Sequence, residues 1–412
     1  MAFFYPISIR MYAFLIWLVS PFNEKAKLWI DGRKNFLQQL NNIPSSDHYY
    51  WFHCASLGEF DMGNPLMKAW KQQHPNAKIL VTFFSPSGYQ YYTKREHVVD
   101  EVLYLPMDTK RNAVLFLQKI QPKAVFFIKY EFWKNYIQEA KNRHIPIYSI
   151  CSIFREKQAY FQFYGSFFRK ILNNFSFFYL QDQSSGNLLQ QIGLKNWKVV
   201  GDNRFDAVIA NRERAKSFPA IEQFLNHQKA IILGSSWEID EQLFQEVLAE
   251  NSTEKFILAP HEIGEHHLQS IEKRWPKKTI RYSQLSTTNA DLPILILDSI
   301  GMLNSVYQYG KLAYVGGGFT GKLHNILEPA VFGLPVIFGP KHSRFPEAQG
   351  FIDQGFGFSV SSSDELVKVL LWIEENKGEI QQELLQFMQT QQGVSAKIIA
   401  HLSSSLSPDV ES

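Results

Sequence analysis

The chain has 412 residues, a length that suits two domains better than one or three. Hydrophobic residues at 45% and charged residues at 20% fit a globular protein with a full core and exclude a disordered tail, a fibrous repeat and a disulfide-stapled small fold. A net charge of +3 is too small for a nucleic-acid footprint.

All of that excess lies in residues 1–40, where Arg10, Lys25, Lys27, Arg33 and Lys34 outnumber Glu24 and Asp31. The same segment holds the apolar run Met11–Phe22, MYAFLIWLVSPF. From Met11 to Asn23 there is no charge, which as a helix covers roughly 20 Å, short of the ~30 Å hydrocarbon core of a bilayer. Extending it upstream brings in Pro6 and Arg10, and Ser20-Pro21-Phe22 is a poor signal-peptide cleavage site. An apolar run followed by Lys25, Lys27, Arg33 and Lys34 predicts a helix dipped into a cytoplasmic membrane face rather than a core helix.

From about Ser46 short apolar runs alternate with amphipathic stretches. Strands are expected at Tyr49–Ala55, Ile79–Phe84, Val102–Leu105, Ala124–Ile128, Ile145–Ser149 and Phe177–Leu180, with helices such as Gly63–Gln73 and Arg111–Gln121 between them. The pattern restarts with Ala230–Gly234, Phe256–Ala259, Ile294–Leu297, Leu312–Val315 and Pro335–Phe338. Near-continuous apolar strands alternating with helices mean parallel sheets covered on both faces. The expected fold class is therefore α/β, with two doubly wound Rossmann-like domains and a ligand cleft between them at the strand C-terminal ends. The expected layout is a membrane-associating helix and basic segment over 1–40, a first domain over 41–205 and a linker over 206–228. A second domain follows over 229–385, then a C-terminal helix and tail over 386–412 that cross back to the first domain. Cys54 and Cys151 fall inside apolar strands and read as buried reduced thiols.

Chemistry is then sought at the strand ends. Cys54-Ala55-Ser56-Leu57-Gly58-Glu59 runs from strand through a small-residue turn into a helix. A carboxylate at a helix start is often only a capping partner, but at the mouth of a cleft a partly desolvated Glu59 can act as a general base. In the second half, Gly234-Ser235-Ser236-Trp237-Glu238, Ala259-Pro260-His261-Glu262 and Gly316-Gly317-Gly318 through Lys322, His324, Asn325 and Glu328 follow strands. Glycines between strand and helix allow backbone N–H groups to approach a phosphate, or simply allow tight packing. The spacing is not a dinucleotide fingerprint, and no Walker A motif is present. Glu328 could accept both hydroxyls of a ribose. His261, His266 and His267 lack metal-ligand spacing, and no Asp-x-Asp motif is present.

In order along the chain stand His53–Glu59 (HCASLGE), Tyr104–Asp108 (YLPMD), Glu131-Phe132-Trp133, Gly201–Asp206 (GDNRFD), Gly234–Glu238 (GSSWE), Ala259–Glu262 (APHE) and Asp298–Gly301 (DSIG). Val315-Gly316-Gly317 through His324-Asn325 and Glu328-Pro329 to Gly339-Pro340 complete the set. With these motifs the chain resembles the 3-deoxy-D-manno-octulosonic acid (Kdo) transferases, GT-B glycosyltransferases of lipopolysaccharide synthesis. The resemblance implies inverting, metal-independent transfer of Kdo from CMP-Kdo to a lipid A precursor (lipid IVA), without cofactor, at the cytoplasmic face of the inner membrane. It implies Glu59 as the base, Ser56, Gly58 and Glu131 on the acceptor or Kdo side, and Pro260 and His261 at the cytidine. Ser235, Gly317, Lys322, His324, Asn325 and Glu328 would hold the CMP phosphate and ribose, with Arg204 near the domain junction.

Two departures stand out. Members often carry Glu-x-Glu-x-Trp-Pro where this chain has Lys129-Tyr130-Glu131-Phe132-Trp133-Lys134. The double glycine that usually precedes His-Asn is Lys322-Leu323 here, which predicts a different loop path or a lysine contact to the phosphate. The competing readings are another GT-B nucleotide-sugar enzyme, such as a UDP-sugar transferase or epimerase, and a non-catalytic nucleotide-binding scaffold at the membrane.

Overall fold

The structure, a computed structural model, describes residues 4–46, 49–94, 96–129, 131–245, 247, 254–286 and 291–406. The chain divides into two compact units, Met1–Ala207 with Gly393–Ser412, and Val208–Gln392.

The first unit is built on a seven-stranded parallel sheet of β1 (Tyr49–Cys54), β2 (Lys78–Phe83), β3 (Glu101–Tyr104), β4 (Ala124–Ile128), β5 (Ile147–Ser152), β6 (Phe177–Leu180) and β7 (Trp197–Val199). The strand order is β3-β2-β1-β4-β5-β6-β7. Successive side chains on a strand point to opposite faces, so one run fills two cores. Trp51, Leu80, Val125 and Phe127 join one apolar cluster with the Lys110–Ile120 helix. Phe52, Val81, Phe126 and Ile128 join the other with the Leu57–Gln73 helix and the C-terminal Val394–Leu406 helix. That last helix returns from the second unit through Gly393, and Asp206 accepts hydrogen bonds from the Gly393 and Ser395 amides at 2.7 Å each. A carboxylate at this helix start satisfies amides that have no partner within the helix.

The second unit repeats the scheme with β8 (Ala230–Ser236), β9 (Lys255–Pro260), β10 (Thr279–Arg281), β11 (Ile294–Ile296), β12 (Gly310–Val315), β13 (Val336–Phe338) and β14 (Gly357–Ser359). All pairs are parallel, in the order β10-β11-β9-β8-β12-β13-β14. Strands β7, β10 and β14 have no counterpart among the apolar runs of the sequence. Each is a three-residue edge strand, too short and too exposed to need an apolar run. The stretch expected to be a linker contains two helices, Asn203–Glu213 and Pro219–Leu225, and the second buries Ile221, Phe224 and Leu225 in the core of its unit.

The N-terminal helix covers Phe4–Val19, seven residues longer at its start than the uncharged run. Pro6 lies in its first turn, where the missing N–H leaves no helical bond unmade. One face is seated on the unit. The Tyr5 hydroxyl donates to Asp108, Ile9 is buried, Tyr12 stacks on Phe84 at 6.0 Å, and Ile16 packs against the cluster of Trp29, Ala55 and Phe84. The other face presents Phe4, Ile7, Met11, Phe14, Leu15, Trp17 and Leu18 to solvent, each at least half exposed. Among the described residues, no helix is long and apolar enough to cross a membrane.

Arg33, expected to belong to the basic surface, is drawn inward. Its guanidinium lies 3.9 Å from the centre of the Trp29 ring and donates to the carbonyls of Trp29, Phe84 and Leu105. Burial pulls it down to about 9. It staples the ends of β2 and β3 to the N-terminal segment.

Candidate active site

The strand order switches direction between β1 and β4 in the first sheet and between β8 and β12 in the second. At such a point two neighbouring strands send their following loops apart, leaving a crevice at their carboxyl ends. Glu59 and Glu131 follow β1 and β4, and the Gly317–Glu328 segment follows β12, while Pro260 and His261 stand at the end of neighbouring β9.

In the first unit, Ser56 stands at the N-cap position of the Leu57–Gln73 helix without a side-chain cap bond, and Gly58 is exposed, with only Ser56 Oγ, 4.0 Å away, near where a Cβ would stand. Glu59 turns back so that its carboxylate accepts from the Ala55 amide, a cap that orients it beneath the helix start. Its side chain is buried, and burial together with the charge of Glu131 pushes it up to about 7, against the opposing pull of the Ala55 amide and Lys129. Glu131 follows β4 after Lys129, whose φ of +65° is a strained setting for a side-chain-bearing residue. The buried Glu131 Oε2 has no hydrogen-bond partner among the described residues and lies 3.7 Å from His53 Nε2. Two carboxylates thus stand at the carboxyl ends of β1 and β4, and Glu59 is ready to hold or lose a proton near neutral pH.

Three groups beside this pair carry no role in the sequence reading. His53 is fully buried at the end of β1, between Thr82 and Trp133. The Trp133 ring also packs on Phe84 at 4.8 Å, linking the site to the seat of the N-terminal helix. His53 and Trp133 stand within the motifs His53–Glu59 and Glu131-Phe132-Trp133, but no role could be read for them there, and only the alternation of side chains along paired β1 and β2 hints that His53 and Thr82 share a face. Cys54 and Cys151 are free, buried thiols, and burial drives both above the ordinary thiol range.

In the second unit, Ser235 is the penultimate residue of β8, with φ +53° at a register irregularity, and Pro260 ends β9. Exposed His261 stacks on Trp237 with ring centres 4.3 Å apart, and the His324 ring lies 4.7 Å from that of His261. His324 Nε2 is buried with no partner among the described residues, and burial followed by the neighbouring His261 pulls the ring down to about 4. Asn325 caps the short Leu327–Ala330 helix through the Leu327 amide at 3.2 Å and donates to Glu328 at 3.3 Å. Trp237, unassigned from sequence, completes this wall.

The glycine cluster behaves as packing rather than as a ready phosphate cradle. A Cβ on Gly316 would strike the Ser235 carbonyl, and one on Gly318 would strike Gly339. The Gly317 amide donates to buried Asp240 at 3.1 Å, so it is already engaged. The loop reverses at Gly317 (φ +89°) and Gly321 (φ +73°), so Lys322 and Leu323 need no left-handed backbone and the missing double glycine causes no strain. Lys322 is exposed. Arg204 belongs to the first unit, and its guanidinium is paired with Asp202 at 2.6 Å. Among the described residues, no group of three or more His, Cys, Asp or Glu side chains is arranged to hold a metal ion.

Residues 30–207, which include Glu59 and Glu131 but neither the N-terminal helix nor the returning C-terminal one, match the family described as 3-Deoxy-D-manno-octulosonic-acid transferase (kdotransferase). Similarity to curated 3-deoxy-D-manno-octulosonic acid transferases runs through both units. That of Aquifex aeolicus is 29% identical over 81% of this chain and 88% of its own length. That of Chlamydia trachomatis serovar D is 26% identical over 84% of this chain and 85% of its own. By these likenesses the chain is a glycosyltransferase similar to the Kdo transferases.

The transferase also shares its two-sheet fold with UDP-GlcNAc 2-epimerase from Neisseria meningitidis, at TM-score 0.63 and 14% identity over 86% of this chain and 99% of that one. Acinetobacter baumannii MurG aligns at TM-score 0.52 and 10% identity over 87% of this chain and 100% of that one. At such identities these neighbours speak to the GT-B-type fold alone. The placement of the site residues is a matter of the geometry above.

Proposed function

We propose that this transferase moves Kdo from CMP-Kdo onto the sugar hydroxyl of a lipid A precursor (lipid IVA), with inversion and without a metal or cofactor. Glu59 removes the proton of the attacking hydroxyl as its oxygen bonds to the Kdo anomeric carbon, and the bond from that carbon to the CMP phosphate oxygen breaks. The leaving group is a phosphate monoester that departs without a general acid, so one base suffices and direct displacement inverts the centre. The observation that carries this reading is the buried Glu59 carboxylate, oriented by the Ala55 amide and pushed up to about 7 beside Glu131. A base of that strength takes a proton near neutral pH far better than an ordinary surface glutamate.

Ser56, Gly58 and Glu131 are proposed to face the acceptor or Kdo. The Trp237–His261–His324 wall with Pro260 and Ser235 would take the cytidine and phosphate, and Asn325 with Glu328 the ribose. The unpartnered His324 Nε2 supports a ligand contact there. The Gly317 amide takes no part while Asp240 holds it, and Arg204 acts only if it leaves Asp202.

The acceptor is a lipid, and the outward face of the Phe4–Val19 helix supports work at a membrane surface. A 16-residue helix is about 24 Å long, suited to lying in the interface of the inner membrane's cytoplasmic leaflet. Arg10, Lys25, Lys27 and Lys34 supply the positive charge; Arg33 does not.

Incubation with CMP-Kdo and a tetraacylated lipid A precursor, with products read by mass spectrometry, tests the proposal. Addition of Kdo is expected. Turnover of UDP-sugars with none of CMP-Kdo would overturn it.

A further inference from the structure

Beside the two carboxylates sits an imidazole whose hydrogen bonds determine its tautomer. An indole N–H only donates, so Trp133 Nε1, 3.1 Å from His53 Nε2, requires a lone pair on that nitrogen. The single ring proton is then on Nδ1, which donates to Thr82 Oγ1 at 2.9 Å; the same oxygen accepts from Trp51 Nε1 at 2.9 Å. With Nε2 occupied as an acceptor, the 3.7 Å approach of Glu131 Oε2 is neither a hydrogen bond nor an ion pair. This agrees with that oxygen having no donor among the described residues.

We infer that Trp133 locks His53 in the neutral Nδ1–H tautomer, so that the imidazole cannot neutralise Glu131 and the charge of Glu131 stays directed at Glu59. Trp133 and His53 are positioning residues, acting on the base through Glu131 rather than touching substrate. The surroundings agree with this division. Glu59 is faced by Glu131, Lys129 and the Cys54 thiol. Glu131 is faced by His53 and Glu59 and, from the N-terminal segment, by Tyr12 and by Arg33. His53 is faced by Thr82, Trp133, Glu131 and the edge of the Phe127 ring. Without the indole, Nε2 is free to take a proton and pair with Glu131. The field on Glu59 then weakens, its conjugate acid loses stabilisation, and it becomes a weaker base.

The inference rests on the proposed role of Glu59, and its test has one arm that needs no turnover. Nitrogen NMR of the histidine side chains in the full-length protein, with the His53 signals identified by their loss in His53→Gln, should show protonated Nδ1 and unprotonated Nε2 at pH 7.5. A proton on Nε2 in the unmodified protein overturns the lock, whether or not the enzyme transfers Kdo. In Trp133→Phe, Nε2 should gain a proton, and the acid limb of the kcat–pH profile should move down by roughly one pH unit, with a lower plateau. Trp133→Phe/His53→Gln, which has no imidazole to protonate, should return the limb to its original position. A fall in plateau with an unmoved limb, or a shift that persists in the double variant, would mean that Trp133 only supports the packing. Should Trp133→Phe fail to fold, the tautomer in the unmodified protein still decides.

Discussion

Replacing Glu59 by Gln should reduce turnover and raise stability together, and both effects follow from one environment. The carboxylate moves from its ordinary 4.5 to about 7 on folding, chiefly through burial and then through Glu131. A group that binds its proton more tightly when folded adds stability below its unfolded value, and that contribution is lost as pH rises through the folded one. Between about pH 4.5 and 7 the native state is therefore progressively weakened, by about 3 kcal/mol in all at 1.36 kcal/mol per unit. Glutamine carries no charge to bury and its Oε1 can still accept from the Ala55 amide, although a neutral acceptor is weaker by about 1 kcal/mol. The net expectation is a gain of roughly 1–2 kcal/mol above pH 7, a rise of several degrees in the melting temperature of the first unit, and no gain near pH 4.5. Turnover should drop by roughly 10²–10⁴ while CMP-Kdo affinity stays within a few-fold. Melting curves at pH 5 and 8, single-turnover kinetics and calorimetry with CMP measure the three quantities. Near-normal turnover would remove Glu59 as the base. A variant less stable at pH 8 than the parent would refute the burial argument itself.

Glu328→Ala should weaken CMP binding by about 1.5–3 kcal/mol, read by calorimetry. Unchanged affinity would move Glu328 from ligand contact to a structural role at the start of its helix. Trp17→Ser with Leu18→Ser, both on the outward face of the N-terminal helix, should reduce partition onto anionic vesicles without lowering the melting temperature. Added salt should weaken but not abolish binding of the parent, since the apolar face survives screening. Equal partition of the variant and the parent would sink the membrane assignment. Deleting residues 1–22 is a harsher change, since it also removes Tyr5, Ile9, Tyr12 and Ile16 from their seats, and should lower both vesicle binding and stability. Tyr5→Phe deletes the bond to buried Asp108 together with the long one accepted from the Lys134 amide at 3.4 Å, and should cost about 1–3 kcal/mol in thermal unfolding. Arg33→Lys keeps the charge but cannot reach the carbonyls of Trp29, Phe84 and Leu105 from one planar fork, and a similar loss is expected.

The central strands of both sheets were legible because a strand covered on both faces must be apolar along its whole length, and runs such as Ala124–Ile128 have no other explanation. Glu59 was legible for a related reason: a strand, a small-residue turn and a helix start lie within a few residues, so local chemistry alone puts a carboxylate at the strand end. The edge strands β7, β10 and β14 left no such trace, because an edge needs only hydrogen bonds to its neighbour. The N-terminal helix was seen only where it is uncharged. Its true start and its division into a seated face and a free face depend on Asp108, Phe84 and Trp29, which folding brings to it from elsewhere in the chain. Arg33 reads in sequence as one more surface cation and becomes an internal staple because three carbonyls at strand ends converge on it. The tautomer of His53 was also beyond the sequence. Its two hydrogen-bond partners lie 29 and 80 residues away, and only the parallel register of β1 and β2, together with the loop after β4, sets them on either side of one ring.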